Sequence, residues 1–371
     1  MSVTKAPTVY DVADRAGVSI ATVSRVLRMP DAVRPVTRDR VLDAVSALGY
    51  VPSGSARGLA ERRTGVIGLY FPGFDAAEEA PSLDVLSTEA SRPFTVVHDS
   101  AAVPGSTTEH DPGSMLFLDE VLRGAELEAW KQEFVLMVGV GRNDPDRSTV
   151  RDMAGRVDGL VVLARSVPDD VLERLAARIP VVVLSGPPRG DDYDHVTVSN
   201  TEAMAELTRL VLAQTAGRAP AFLAGPDDSP DGAQRWQGFS DAVTEAGFSV
   251  DEIAVVRGDF TRASGRAAAE ELLARGLPAA LMSANDQMAL GALDFFRAAG
   301  VRVPEDVLVT GFDGIDAAAL SQPRLTTVRQ PMIELGRAAV QVLVNRLERP
   351  DTAPVFVRLP LEITLRESSL R

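Results

Sequence analysis

The sequence predicts an N-terminal all-α helix-turn-helix headpiece followed by an α/β core of two doubly wound parallel-sheet lobes. Three observations carry this. Residues 7–50 read as three short helices, each with its own start signal, separated by Gly17 and Pro35. From Val66 onward, apolar runs of strand length alternate with amphipathic stretches of helix length, the pattern of buried parallel strands covered by helices. The strand–helix units are too many for one compact sheet and fit two similar lobes.

In the headpiece, residues 1–50, Thr8 caps a helix through "VYDVADRA" and Gly17 ends it. Ser19 caps the second helix, "IATVSRVLR", and Pro35 opens a third through "VTRDRVLDAVSAL". Val12, Ala13, Val18, Val23, Val26, Leu42 and Val45 suffice for one small core. A tight Gly-containing turn between two short helices is the sequence form of a helix-turn-helix, although three such helices also make a plain bundle. The first turn of the second helix favours DNA. Ile20 and Ala21 have no obvious core to enter, and in a recognition helix the N-terminal side chains face the major groove. There they suit thymine methyl groups, and Arg25, one turn on, suits guanine O6 and N7. Thr8, Tyr10, Ser19, Thr22 and Thr37 are suitable phosphate donors, which fix register rather than read sequence.

Residues 51–63 form a linker or hinge. Pro52 and Gly54 break regular structure, yet "SARGLAERR" has the length of two helical turns. So short a helix is mostly unfolded alone in water, and Gly58 weakens it further.

The core, 64–371, offers strands at "VIGLYF" (66–71), "FVLMVGV" (134–140), "GLVVLA" (159–164), "VVVL" (181–184), "AFLAG" (221–225), "AVV" (254–256), "AALMSA" (279–284) and "VLVTGF" (307–312). A helix, "PMIELGRAAVQVLVNRLE", and one strand, "VFVRLPLEITL", close the chain. Residues 74–112 stand apart, with eight acidic side chains and one basic in a connection that is normally a few residues long. They read as an acidic flap or as an added element around "PFTVVH".

Charge separates the parts. The chain of 371 residues has a formal net charge of −14, but residues 1–63 carry ten basic side chains against six acidic ones. A basic tip on an acidic body is compatible with a nucleic-acid partner presented at one end. Other chemistries are poorly supplied. There is no cysteine, and His98, His110 and His195 lack metal-ligand spacing, so no metal and no cofactor are expected. "GVGRND" (139–144) is the only Gly-rich phosphate candidate, and it lacks the third glycine and places Asp144 where a pyrophosphate would sit. There is neither a P-loop nor a nucleophile elbow. No apolar run approaches 18 residues and the N-terminus lacks a secretory core, so a cytoplasmic, nucleoid-associated protein is expected.

"TVYDVADRAGVSIATVSRVL" and "TRDRVLDAVSALGYVPSGSARGL" at the front, with "SANDQMALGALDFFRAAGVRVPEDVLVTGFDGIDAAAL", "PRLTTVRQP" and "LPLEITLRESS" at the back, closely resemble the lactose/galactose-repressor (LacI-type) family of bacterial transcription factors. The resemblance runs nearly the full length. It implies a core like periplasmic binding proteins, with two lobes joined by three crossovers and a small effector in the cleft. The lobes would be 64–196 with 322–349, and 197–321 with 350–371. It implies a hinge helix around Ala56 and Leu59 that folds over DNA, Leu59 wedging into the minor groove. It assigns Arg235, Phe260, Asn285 and Asp313 to the effector, Phe260 as the stacking aromatic. Arg28 replaces a usual Asn and would add a phosphate contact. Arg34 replaces a usual capping Ser, and Ser199-Asn200 a usual Asp-Asn. The expected protein is thus a homodimeric regulator, a repressor by resemblance, on a pseudo-palindromic double-stranded operator, controlled by a carbohydrate-like effector and not an enzyme. An oxidoreductase using a nicotinamide cofactor and a solute-binding protein without DNA function are the alternatives.

Overall fold

The computed structural model describes residues 7–50, 63–72, 116–141, 148–188 and 190–370, in two compact units, 1–65 and 66–371. The first unit is helical: α1 (Val9–Ala16), α2 (Ile20–Arg28), a 3₁₀ turn (Pro30–Ala32) and α3 (Pro35–Leu48). Its core is Val12, Ala13, Ala16, Val23, Val26, Val41 and Ala44. Leu42, expected inside, is 43% exposed. The helical period selects 41, 44, 45 and 48 as the inner face of α3 and turns 42 outward.

The second unit holds two six-stranded sheets. β1 (Val66–Pro72), α4 (Leu116–Lys131), β2 (Val135–Gly141), α5 (Ser148–Ala154), β3 (Gly159–Leu163), α6 (Asp169–Ala176), β4 (Val181–Leu184) and β5 (Asp194–Val198) build the first lobe. The second lobe follows as α7 (Asn200–Leu212), β6 (Ala221–Ala224), α8 (Pro230–Glu245), β7 (Ala254–Arg257), α9 (Arg262–Arg275), β8 (Ala280–Ser283), α10 (Asp286–Ala298), β9 (Leu308–Asp313), α11 (Asp316–Leu320) and β10 (Thr326–Arg329). The chain returns through α12 (Met332–Glu348), β11 (Phe356–Leu359) and β12 (Glu362–Thr364).

The first sheet runs β11-β5-β4-β3-β1-β2 and is parallel throughout. The second runs β12-β10-β9-β8-β6-β7, parallel except for β12 against β10. This pairing corrects the expected lobe boundaries. β10, within the 322–349 segment expected in the first lobe, belongs to the second sheet. β11, within the 350–371 segment expected in the second lobe, belongs to the first. The chain therefore changes lobe at Ser199, at Gln330–Pro331 and at Pro360–Leu361. The single C-terminal strand read from sequence is two strands, because Pro360 and Leu361 fall between partners on different sheets.

Helices α4 and α12 touch backbone to backbone. A Cβ on Gly124 would collide with the Ile333 carbonyl, and one on Gly336 with the Val121 carbonyl. Only glycine permits so close an approach. That contact seats the returning helix on the first lobe. Among the described residues no helix is long and apolar enough to cross a membrane.

Candidate nucleic-acid interface and effector cleft

In the headpiece, Thr8 and Asp11 form a reciprocal capping box on α1, with Thr8 N–H donating to Asp11 Oδ2 at 2.7 Å. Gly17 closes the helix at φ 61°. Ser19 Oγ accepts the Thr22 N–H at 3.2 Å and lies 2.9 Å from Thr22 Oγ1. Val23 and Val26 lock α2 to the core, which leaves Ile20 39% exposed and Ala21 and Arg25 exposed on one helical face. Tyr10 is also exposed. The hydroxyls of Thr8 and Ser19 are committed to caps, Thr8 Oγ1 donating to Asp11 Oδ2 at 2.6 Å. Thr37 lies in the first turn of α3, where no side chain caps the helix and Pro35 opens it. Arg40 was not singled out from sequence. Its guanidinium donates to the Ala16 carbonyl at 2.7 Å and to Gly17 O at 3.2 Å, tying α3 to the turn of the motif. The side chain of Arg28, and all of Ala56 and Leu59, lie outside the described residues, as does the 74–112 segment.

In the core, Arg235, Phe260, Asn285 and Asp313 converge on one cavity of about 220 Å³. It lies at the carboxyl ends of both sheets, where open α/β sheets bind ligands. Leu163 and Ser185 bound it from the first lobe, and residues following β6 to β10 bound it from the second. Arg235 projects from α8 and is 4% exposed. Its Nε donates to Asn200 Oδ1 at 2.9 Å, and Nη1 donates to the Ala284 carbonyl at 2.7 Å and to Asp313 Oδ1 at 3.3 Å. The guanidinium carbon sits 3.9 Å from the centroid of the Phe312 ring.

Asp313 ends β9 at φ 117°, and Gln330 donates to its Oδ1 at 2.8 Å. Burial raises its pKa to about 6, with Asp231 pushing the same way while Arg235 and Gln330 pull it down. Behind it, Asp286 is fully buried. Burial first, then the Asp313 charge, raises its pKa well above the usual carboxylate range. Its carboxylate accepts from Thr327 Oγ1 at 2.6 Å and from the N–H groups of Gly314 and Ile315 at 2.8 and 3.0 Å, which holds the turn that presents Asp313. Asn285 caps α10, its Oδ1 accepting the Met288 N–H at 2.9 Å and its Nδ2 donating to the Phe260 carbonyl at 3.0 Å. Phe260 has φ 70°, a conformation bulky residues rarely adopt. Its ring occupies the space a Cβ on Gly225 would need.

Two family descriptions match the chain: bacterial regulatory proteins of the lacI family over residues 8–53, and a periplasmic binding protein-like domain over 212–369. The HTH-type transcriptional regulator CelR of Thermobifida fusca is 33% identical over 368 residues, 98% of each chain. The chain belongs to the lacI family. Two solved structures share this architecture. A CelR–cellobiose complex superposes with TM-score 0.66 at 32% identity, covering 98% of this chain and 99% of that one. A lac repressor dimer bound to operator and the anti-inducer ONPF gives TM-score 0.79 at 25% identity, over 99% and 100%.

As a lacI-family member the chain is a DNA-binding transcriptional regulator and not an enzyme, so the oxidoreductase and solute-binding alternatives fall. Several cleft residues escaped the sequence reading of this lacI-family core. The sequence marks Asn200 only as part of the Ser199-Asn200 departure, yet it is Arg235's partner. Gln330 lay inside the quoted "PRLTTVRQP" without a role. Asp231 accepts from Gly186 N–H of the first lobe at 3.1 Å and from Asn200 Nδ2 at 2.9 Å. Its position four residues before Arg235 on the same helix was the available signal.

Proposed function

We propose that the chain acts as a homodimeric repressor that places α2 of each protomer in the major groove of a pseudo-palindromic operator. Ile20, Ala21 and Arg25 read base edges. Thr8, Tyr10, Ser19, Thr22, Arg28 and Thr37 contact phosphates, Thr8 and Ser19 by turning their hydroxyls out of the cap bonds they otherwise make, and Ala56 with Leu59 forms the minor-groove hinge. A carbohydrate-like effector sits between the lobes on Arg235, Phe260, Asn285 and Asp313, and its occupancy shifts the dimer between DNA-competent and incompetent states. The working place of such a protein is the nucleoid.

The supporting observation is the exposed apolar front of α2. Ile20 stands out of the headpiece core while Val23 and Val26, one and two turns on, are completely buried in it. That division gives the helix an inner packing face and an outer reading face. Selection of bound sites from a random duplex pool tests this. Recovery of a two-fold-related consensus, with affinity that falls steeply as salt rises, is expected. Salt-insensitive binding or no enriched sequence overturns it.

A further inference from the structure

Resting on the cleft as the effector site, we propose that it selects uncharged polyhydroxylated effectors and rejects phosphorylated or carboxylated ones, with Asp228, Asp231 and Asp259 as the discriminating residues. Among the described lining residues, four carboxylates face two guanidiniums: Asp228, Asp231, Asp259 and Asp313 against Arg165 and Arg235. Arg235 is already matched in charge by Asp313, and its Nε and Nη1 donate to Asn200, the Ala284 carbonyl and Asp313. The three remaining carboxylates then outnumber Arg165; Asp228, Asp259 and Arg165 are exposed and Asp231 is half-buried.

The usual anchor for an anion is partly taken at three of the helix starts. A phosphate binds a helix N-terminus through free backbone N–H groups and the positive end of the dipole. Of the helices whose first residues line this cavity, α8, α9 and α10 are each capped by their own side chain; the residues that precede α4, whose Leu116–Leu118 also line it, lie outside the described residues. Ser229 Oγ accepts from Gly232 on α8, Thr261 Oγ1 from Ser264 on α9, and Asn285 Oδ1 from Met288 on α10. A carboxylate stands at two of these ends, Asp231 in the first turn of α8 and Asp259 just before α9; Asp286, in the first turn of α10, is buried with its pKa raised well above the carboxylate range. Burial raises the Asp259 pKa, but hydrogen bonds from Thr261 and Ser264 outweigh it and keep the group below its ordinary value. An incoming phosphate would meet like charges in a partly desolvated space. Hydroxyls instead find carboxylate acceptors, the side chains of Ser185 and Gln330, and the Phe260 ring for an apolar face.

The test is a matched panel on the full chain: glucose, fructose and ribose against glucose 6-phosphate, fructose 1-phosphate and ribose 5-phosphate, with cellobiose against cellobionate. Ligand-induced shifts in thermal midpoint and calorimetric titration are the readouts. At least one neutral member should protect the protein and bind tenfold or more tighter than its anionic counterpart. The Asp228→Asn/Asp259→Asn double variant should narrow that ratio to threefold or less while still binding the neutral member. An anion that binds more tightly than its neutral parent, no protection by any neutral member, or an unchanged ratio in the double variant overturns the proposal. Asp313→Asn separates the two levels. Anion binding that this variant abolishes sinks charge selection and leaves the cleft as the effector site. Binding indifferent to it moves the ligand elsewhere and sinks the cleft reading too.

Discussion

Asp313→Asn should stabilise the core at neutral pH and not at acid pH. The Asp313 side chain is 11% exposed, and burial lifts its pKa from 3.8 to about 6. A carboxyl with a raised folded-state pKa binds its proton more tightly in the folded chain than in the unfolded one. Stability from this group is therefore full below pH 4, declines between about pH 4 and 6, and stays at the lower level above that. Two pKa units at 1.36 kcal/mol each give about 3 kcal/mol as the ceiling. Asparagine resembles the protonated carboxyl in shape and accepts the same bond from Gln330, so it removes the pH-dependent penalty. Chemical denaturation of wild type and variant at pH 4 and pH 7.5 measures the difference. The variant should gain about 1–3 kcal/mol at pH 7.5 and nothing at pH 4, and should lose effector response at both. A variant less stable than wild type at pH 7.5, or a difference independent of pH, would show that the Arg235 attraction outweighs burial and refute the reasoning.

Arg25→Ala should relax specificity at one base pair in each half-site by about 1–3 kcal/mol, read from binding to single-base operator variants; an equal loss on every sequence removes Arg25 from the reading role. Arg40→Ala should do the opposite, weakening all sequences alike and lowering headpiece stability by about 1–2 kcal/mol, because Ala16 O and Gly17 O lose their donor. In Gly225→Ala the new Cβ would occupy the Phe260 ring position, so calorimetry should show at least a tenfold loss of effector affinity while circular dichroism stays unchanged; unchanged affinity would make Phe260 plain packing. Gly336→Ala would force apart α4 and α12 at the Val121 carbonyl and should destabilise the core by about 1–3 kcal/mol or more in thermal unfolding; a neutral outcome would show that the helices can separate freely.

What the sequence disclosed follows how local each cause is. Thr8, Ser19, Gly17 and Pro35 act within four residues, so the headpiece helices were legible from their ends. The continuous apolar strands were legible for the same reason. β5, "DHVTV", is not among the strands the sequence offers, because the polar Asp194 and His195 interrupt the apolar run. Both are buried, Asp194 held by Arg346 at 2.7 and 2.8 Å from 152 positions away and His195 by Asp191 at 2.6 Å. The split of β11 from β12 depends on which sheet each joins, and period-two patterning is the same in both. Arg235 was placed by its motif, but the Asn200 that orients it lies 35 residues earlier.

The hydrogen bonds around Arg235 also explain how a small ligand can act on lobe geometry. Gly186 in the first lobe donates to Asp231; Asn200 donates to the same oxygen and accepts from Arg235; Arg235 reaches Asp313; and Gln330 donates to Asp313. Asn200 immediately follows the first lobe crossing and Gln330 sits at the second. The groups at the centre of the cleft are thus bonded to two of the three chain segments about which the lobes turn. Of these bonds the one that spans the lobes is Gly186 N–H to Asp231, so a ligand at the proposed site on Asp313 or Arg235 would act on the lobe angle through Asn200 and Asp231. If the lobes adopt open and closed forms, a ligand at the proposed site would then have different free energies in the two, the one condition under which binding can shift their populations. A coupling of about 1–3 kcal/mol needs no more than one or two of these bonds to differ between the states. The apolar walls, Leu116, Phe117 and Phe260, add area but no such directional link, so affinity and allosteric response should separate by residue type.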